Sequence, residues 1–247
     1  MNITFVELLY KAYWTALDWI YPPVCAACGT PGYRLCPECQ SKIRFISGRM
    51  RNSSDRTILL HTKPGYHDQE GHSAFTAVKP LAIYEGVIRE CIHALKYENN
   101  QSLGELFSDW LADLVHDEGW DIDLVMPVAL SDQRVRQRGY NQSALIARPL
   151  AARLHQPYSS FGLKRIRNTP SQVGLSAEER RQNVAGAFRA LREIVNEKHV
   201  LLVDDVLTTG ATLEACTSAL NTAGARAIYC VTVAGFSVNT PDPFRSP

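Results

Sequence analysis

Residues 200–212, VLLVDDVLTTGAT, place two adjacent carboxylates at the end of an aliphatic run and follow them with threonines around one glycine. Carboxylates accept hydrogen bonds from hydroxyls or hold a divalent cation, and they repel phosphate. Hydroxyl donors, a glycine that lets the backbone approach closely, and the free N–H groups of a starting helix do the reverse and attract phosphate. A ligand with sugar hydroxyls close to a phosphate satisfies both halves. Asp204 and Asp205 then face the hydroxyls or a cation, and Thr208, Thr209, Gly210, Ala211 and Thr212 cradle the phosphate. The bland reading is a strand–turn–helix with surface acids. The pattern G-x-x-x-x-G-K-[ST] is absent, which argues against an ordinary nucleoside triphosphatase.

Two basic segments could serve the same ligand. PVALSDQRVRQRGYNQ carries Arg134, Arg136 and Arg138, then a turn at Gly139-Tyr140-Asn141-Gln142. Its charge could face an anionic ligand, or it is a solvated loop. LKRIRNTPSQVGLSAEERRQNVAGAF, punctuated by Pro170 and Gly174, has the place and composition of a lid. Such a lid would bring Lys164, Arg165 or Arg167 over the phosphates and exclude water. Arg167 is the candidate catalytic cation, and the alternative is an ordinary loop before a helix.

A third constellation lies near the start. Cys25, Cys28, Cys36 and Cys39 read C-x2-C-x7-C-x2-C. Each CxxC turn brings two sulfurs to one point, so two turns complete a tetrahedral site with no open position, which suits structural zinc. A redox pair or an iron–sulfur cluster is the competing use. Cys91, Cys216 and Cys230 read as small buried hydrophobes. Beside the cysteines, Lys42, Arg44, Arg49 and Arg51 are interleaved with aromatics. That composition suits single-stranded nucleic acid or equally a solvated linker.

These residues need elements to position them. Segment 75–236 alternates short buried strands with amphipathic helices, which predicts a mainly parallel sheet with helices on both faces. Ligands of such sheets bind outside the carboxyl ends of the strands, where Asp204 and Asp205 fall. Pro149 is a candidate kink in the helix that follows Tyr140. The expected organisation is an N-terminal amphipathic helix (1–22), a four-cysteine zinc module (23–45), a basic linker (46–74), the α/β domain (75–236) and a tail (237–247).

The chain has 247 residues and a formal net charge of +1, so any nucleic-acid surface must be local. No run of about 18 uncharged apolar residues predicts a membrane span. The apolar start lacks the basic region and cleavage site of a signal peptide. Two CxxC pairs and an odd total of cysteines point to the cytoplasm and to metal rather than disulfides.

The signature VLLVDDVLTTGAT resembles the one by which type I phosphoribosyltransferases bind 5-phosphoribosyl-1-pyrophosphate (PRPP). With ALKYENN, RGYNQSALIARPLA and RNTPSQVGLSAEERRQNVAGAF in order, and a CxxC…CxxC module in front, the chain is similar to the ComF family of competence-type proteins. The resemblance implies a type I phosphoribosyltransferase-like sheet flanked by helices, with a small zinc module. It implies that Asp204 and Asp205 contact the ribose hydroxyls directly or through Mg²⁺, with Thr208–Thr212 on the 5-phosphate and Arg138 and Gly139 beside the pyrophosphate. It also implies handling of single-stranded DNA in natural transformation, alongside DNA-uptake proteins. The alternative is an active Mg²⁺-dependent transferase acting on a nucleobase or other nitrogen acceptor. One departure is the strand end Pro127-Val128-Ala129-Leu130, where the family usually has PVPL.

Overall fold

The computed structural model describes residues 22–46, 76–167 and 177–236. The expected N-terminal helix, most of the basic linker and the tail lie outside these residues. Among these residues four parallel strands form the sheet: β1 (Ala77–Ile83), β2 (Leu124–Pro127), β5 (His199–Leu207) and β6 (Ala227–Gly235), in the order β1-β6-β5-β2. A separate antiparallel pair, β3 (Leu163–Arg165) and β4 (Phe188–Ala190), stands apart from that sheet.

The central strands are largely apolar, broken by Asp204 and Asp205 in β5 and Thr232 in β6, because helices cover both faces. Successive side chains of a strand point to opposite sides, and the packing follows that rule. Leu201 and Val203 join a layer with α2 (Gly86–Tyr97), α3 (Leu103–Glu118) and α5 (Gln142–Arg153). Val200 and Leu202 join the opposite layer with α8 (Ala211–Thr222), β3 and β4. Cys91, Cys216 and Cys230 are 0% exposed, as expected of small apolar residues.

Pro149 does not interrupt α5, which runs as one element from Gln142 to Arg153. Proline has no N–H, so the Leu145 carbonyl loses its usual helical donor. The structure packs α3 against that same carbonyl: a Cβ added at Gly104 would lie 2.5 Å from the Leu145 oxygen. Gly104 is therefore a contact residue between helices. Gly104→Ala should lower stability by about 1–3 kcal/mol, despite the gain in helix propensity, because a backbone carbonyl cannot yield. Urea denaturation monitored by far-UV circular dichroism would read this as a lower midpoint.

The cysteine module holds the short helix α1 (Pro37–Ser41), and its exit segment is stitched to the sheet. The Ile46 N–H donates to the Leu81 carbonyl (2.8 Å), and the Ile83 N–H donates to the Arg44 carbonyl (2.9 Å). Phe45 pairs antiparallel with Ala82, and its ring meets Trp110 edge-on at 5.4 Å. At the opposite rim, Tyr158 bridges to Val125 in parallel.

Candidate functional site

The two acids close the apolar run of β5 and inherit its alternation. Asp205 follows Leu201 and Val203 toward α2, and there it meets Lys96. The Lys96 Nζ lies 2.7 Å from Asp205 Oδ1, with only 18% and 7% of the two side chains exposed. Asp205 Oδ2 is buried without a hydrogen-bond partner. Asp204 Oδ1 accepts from the Ser143 hydroxyl (2.8 Å) and from the Asp205 backbone N–H (2.9 Å).

These surroundings perturb both charge types. Burial, and then the neighbouring Asp205, push the Asp204 carboxyl up to about 7, although Ser143 and Lys96 act in the opposite direction. Burial alone would lower the Lys96 ammonium, but Asp205 and then Asp204 more than offset it and leave it raised. An ammonium beside carboxylates is held in its charged form.

The turn Tyr140-Asn141-Gln142-Ser143 organises this cluster. The Tyr140 hydroxyl donates to the Leu95 carbonyl (2.6 Å), which anchors the end of α2 that carries Lys96. Asn141 Nδ2 donates to the Val128 carbonyl (2.9 Å), and its Oδ1 accepts from the Ser143 N–H (3.0 Å) as the N-cap of α5. Such a cap satisfies a helix donor that would otherwise be unpaired. Ser143 then reaches Asp204. The segment read from sequence as a pyrophosphate loop thus also holds the acids in place.

Gly210 sits at φ 83° as the N-cap of α8, with no side-chain hydrogen bond capping that end. Only a residue without Cβ takes this backbone at little cost, and it turns the strand directly into the helix. Thr208 is exposed, Thr209, Gly210 and Thr212 are half-buried, and Ala211 is buried. The predicted cradle residues thus follow the acids within one turn.

Arg138 and Gly139 close α4 (Asp132–Arg138), with Gly139 at φ 83°. The Arg138 guanidinium donates to Gln142 Oε1 (2.9 Å) and to the Tyr97 hydroxyl (3.3 Å), and lies 5.0 Å over the Tyr97 ring. It therefore borders the residue next to Lys96. On the other side, burial lowers the Arg165 guanidinium, and the charges of Arg134 and Arg167 lower it further. The Arg165 guanidinium itself lies 5.3 Å over the Phe188 ring. Arg167 Nη2 itself donates to the carbonyls of Asn183 (3.2 Å) and Ala185 (2.6 Å), so its side chain is tied to the returning arm of the predicted lid. Residues 168–176 of that lid lie outside the described residues.

Lys42 pairs with Glu38 (2.8 Å) and Arg44 with Glu85 (2.9 Å), both on the surface. Arg49 and Arg51 lie outside the described residues. Lys96 and Ser143 were not singled out from sequence, and Tyr140 was named only as part of its turn. One signal was available for Lys96: it follows Ile92 by four residues and so shares the row of a buried face, where a lysine needs a partner.

The Sγ atoms of Cys25, Cys28, Cys36 and Cys39 all lie within 4.8 Å of one another. Cys28 and Cys36 are 3.7 Å apart, close to the roughly 3.8 Å that Zn–S bonds of about 2.3 Å give at tetrahedral angles. The Cys36 N–H donates to Cys25 Sγ (3.4 Å), and the Cys39 N–H to Cys36 Sγ (3.5 Å). Burial raises the Cys25 thiol, but the N–H groups of Cys36, Cys28 and Ala27 outweigh it and bring it down to about 6. The donor set and spacing fit zinc held by four thiolates. It would act structurally, since four thiolates leave no position of a tetrahedral ion open.

Residues 140–242 match the family model of the phosphoribosyl transferase domain, and residues 16–50 match that of the double zinc ribbon domain. The chain is 34% identical, over 61% of its length and 69% of the relative's, to the DNA utilization protein YhgH of Escherichia coli K12. The chain belongs to the ComF family. Other members bear this out. Competence protein F of Haemophilus influenzae is 40% identical over 43% of this chain and 47% of its own length. Competence protein ComFC of Bacillus subtilis is 23% identical over 74% and 76%. The ComF architecture expected from sequence, a phosphoribosyltransferase-like parallel sheet behind a cysteine module, is the one observed. Among the described residues no helix is long and apolar enough to cross a membrane.

Proposed function

We infer that this ComF protein binds PRPP at the carboxyl ends of β5 and β2 and handles single-stranded DNA in the cytoplasm during DNA uptake and use. The observation that carries the PRPP half is the junction of Asp204 and Asp205 with the Gly210 turn. Hydroxyl acceptors and a helix start free of a side-chain cap lie side by side there. Asp204 and Asp205 would take the ribose hydroxyls, and residues Thr208–Thr212 the 5-phosphate. Arg138 and Gly139, together with the Arg134, Arg165 and Arg167 group, would face the pyrophosphate. Mg²⁺ would arrive on that pyrophosphate. The DNA half is supported by relatives named for DNA utilization and competence. The basic residues Lys42, Arg44, Arg49 and Arg51 are its candidate contacts.

Calorimetric titration of PRPP, with and without Mg²⁺, tests the first half. Saturable binding strengthened by Mg²⁺ is the expected result, and absence of binding under both conditions would remove the reading. Titration of a fluorescent single strand across a salt series tests the second. Affinity should fall steeply with salt, and a flat response would count against DNA handling. Retention of the PRPP site for binding needs no acceptor pocket. Transfer to a nitrogen acceptor gains no support from Arg167, whose side chain is tied to the Asn183 and Ala185 carbonyls.

A further inference from the structure

We propose that Tyr97 is a base-stacking platform for single-stranded DNA, at the end of a track that runs along the exposed row of α2 from the cysteine module toward the acid pair. The proposal rests on the single-strand reading given above and names a contact surface for it.

The track starts where Arg44, on the exit segment of the module, meets Glu85, the N-cap of α2, at 2.9 Å. Arg89, His93 and Tyr97 follow at steps of four residues. All three are exposed, so they form one outward row on the helix. From Glu85 to Tyr97 the helix advances about 18 Å. The residue before Tyr97, Lys96, already touches Asp205.

A single exposed aromatic is ordinary on a protein surface. Tyr97 differs because its ring is held in place while the residue is 63% exposed. Its hydroxyl accepts from Arg138 (3.3 Å), whose guanidinium lies 5.0 Å over the ring. The His93 ring is tilted against it at 4.9 Å. A ring fixed in advance loses little freedom when a base stacks on it, and the adjacent guanidinium suits the phosphate next to that base.

Charge alone does not make this surface. Acids accompany the cations along the row: Glu85 beside Arg44, Glu90 beside Arg89 (3.0 Å) and Glu98 beside His93 (3.1 Å). Such exposed pairs contribute little and exchange readily. Stacking is the contact that must carry affinity here, since it needs no net charge and accepts any base.

The test uses the full zinc-loaded chain without PRPP, and a short thymidylate strand carrying one 2-aminopurine, whose fluorescence is quenched by stacking. Wild type should quench it, and should prefer this strand at least tenfold over an abasic strand of equal length that keeps the phosphates. Tyr97→Ala should lose at least tenfold in affinity, together with the quenching and the preference. The salt dependence of its remaining binding should stay as in wild type, because no phosphate contact is removed. Tyr97→Leu, which fills similar space without a flat π-face, should behave in the same way, and Tyr97→Trp should retain all three properties. Unchanged affinity and quenching in Tyr97→Ala and Tyr97→Leu overturn the proposal. Competition by free thymidine as effective as by the strand also overturns it, since the ring would then be a nucleoside site. Binding that Lys42→Ala/Arg44→Ala abolishes and Tyr97→Ala leaves intact refutes the platform alone. No binding by wild type removes the single-strand reading and the platform together.

Discussion

Asp204→Asn will make the chain more resistant to heat at pH 8 and at the same time unable to retain PRPP. The carboxyl of Asp204 is raised from its ordinary value to about 7 by burial and by Asp205. An acid whose pKa is raised on folding contributes its full stability below the unfolded value near 4. It loses that stability as pH rises through about 7, because the folded chain must then hold an ion it solvates poorly. An amide removes the charge while keeping an oxygen for Ser143 and the Asp205 N–H. The variant should therefore match wild type near pH 4. Its advantage should grow through neutrality to about 1–2 kcal/mol above pH 7, or roughly 2–8 °C in melting temperature. Binding moves the other way, since the amide weakens the acceptor for a sugar hydroxyl. A loss of a hundredfold or more in PRPP affinity is expected by calorimetry. Scanning calorimetry at pH 4, 6 and 8 checks the stability half, and a constant difference across that range would refute it. A site that destabilises its own fold is the ordinary trade of stability for activity.

Removal of zinc will weaken the whole domain and not only the module. The ligands Cys25, Cys36 and Cys39 are buried in the same core layer as Leu35, Ile43 and Trp110. Metal binding energy in such modules is folding energy. Without it, four thiols crowded within 4.8 Å keep only weak N–H···S contacts, and the Arg44–Ile46 segment is left with its own hydrogen bonds and the Phe45 contacts to hold it on β1. Cys36→Ser should release close to one zinc per chain, measured with a chromogenic chelator. It should also lower stability by about 3–5 kcal/mol, on the order of 10 °C. An unchanged melting temperature would show that the sheet does not depend on the module.

What could be read from sequence was what the chain keeps contiguous. Asp204 to Thr212 occupy one strand end, one turn and one helix start, so residue types and order sufficed. The same holds for two CxxC turns, each closing locally around its sulfurs. What could not be read depends on contacts between distant segments. Lys96 and Asp205 meet only because α2 packs on the sheet beside β5, and Ser143 reaches Asp204 from the first turn of α5. A lysine in a helix ordinarily extends to solvent, and nothing in ALKYENN alone says that this one turns inward. The surroundings of Pro149 could not be read for a related reason. The carbonyl it leaves without its helical donor lies against Gly104, a neighbour 41 positions upstream in the numbering. Arg167, the expected catalytic cation, donates to two carbonyls of the returning arm, contacts that its own stretch of sequence did not announce.

The two rims of the sheet also constrain how other molecules can meet this protein. Strand addition, in which an extended peptide continues a sheet by main-chain hydrogen bonds, needs an open row of N–H and C=O groups. The chain's own segments occupy part of both rows, through Arg44–Ile46 along β1 and through Pro157–Ser159 along β2. A guest strand would have to displace Phe45 from Trp110 on one side or Tyr158 from Val125 on the other. Strand addition at either rim is thereby opposed by the chain's own segments.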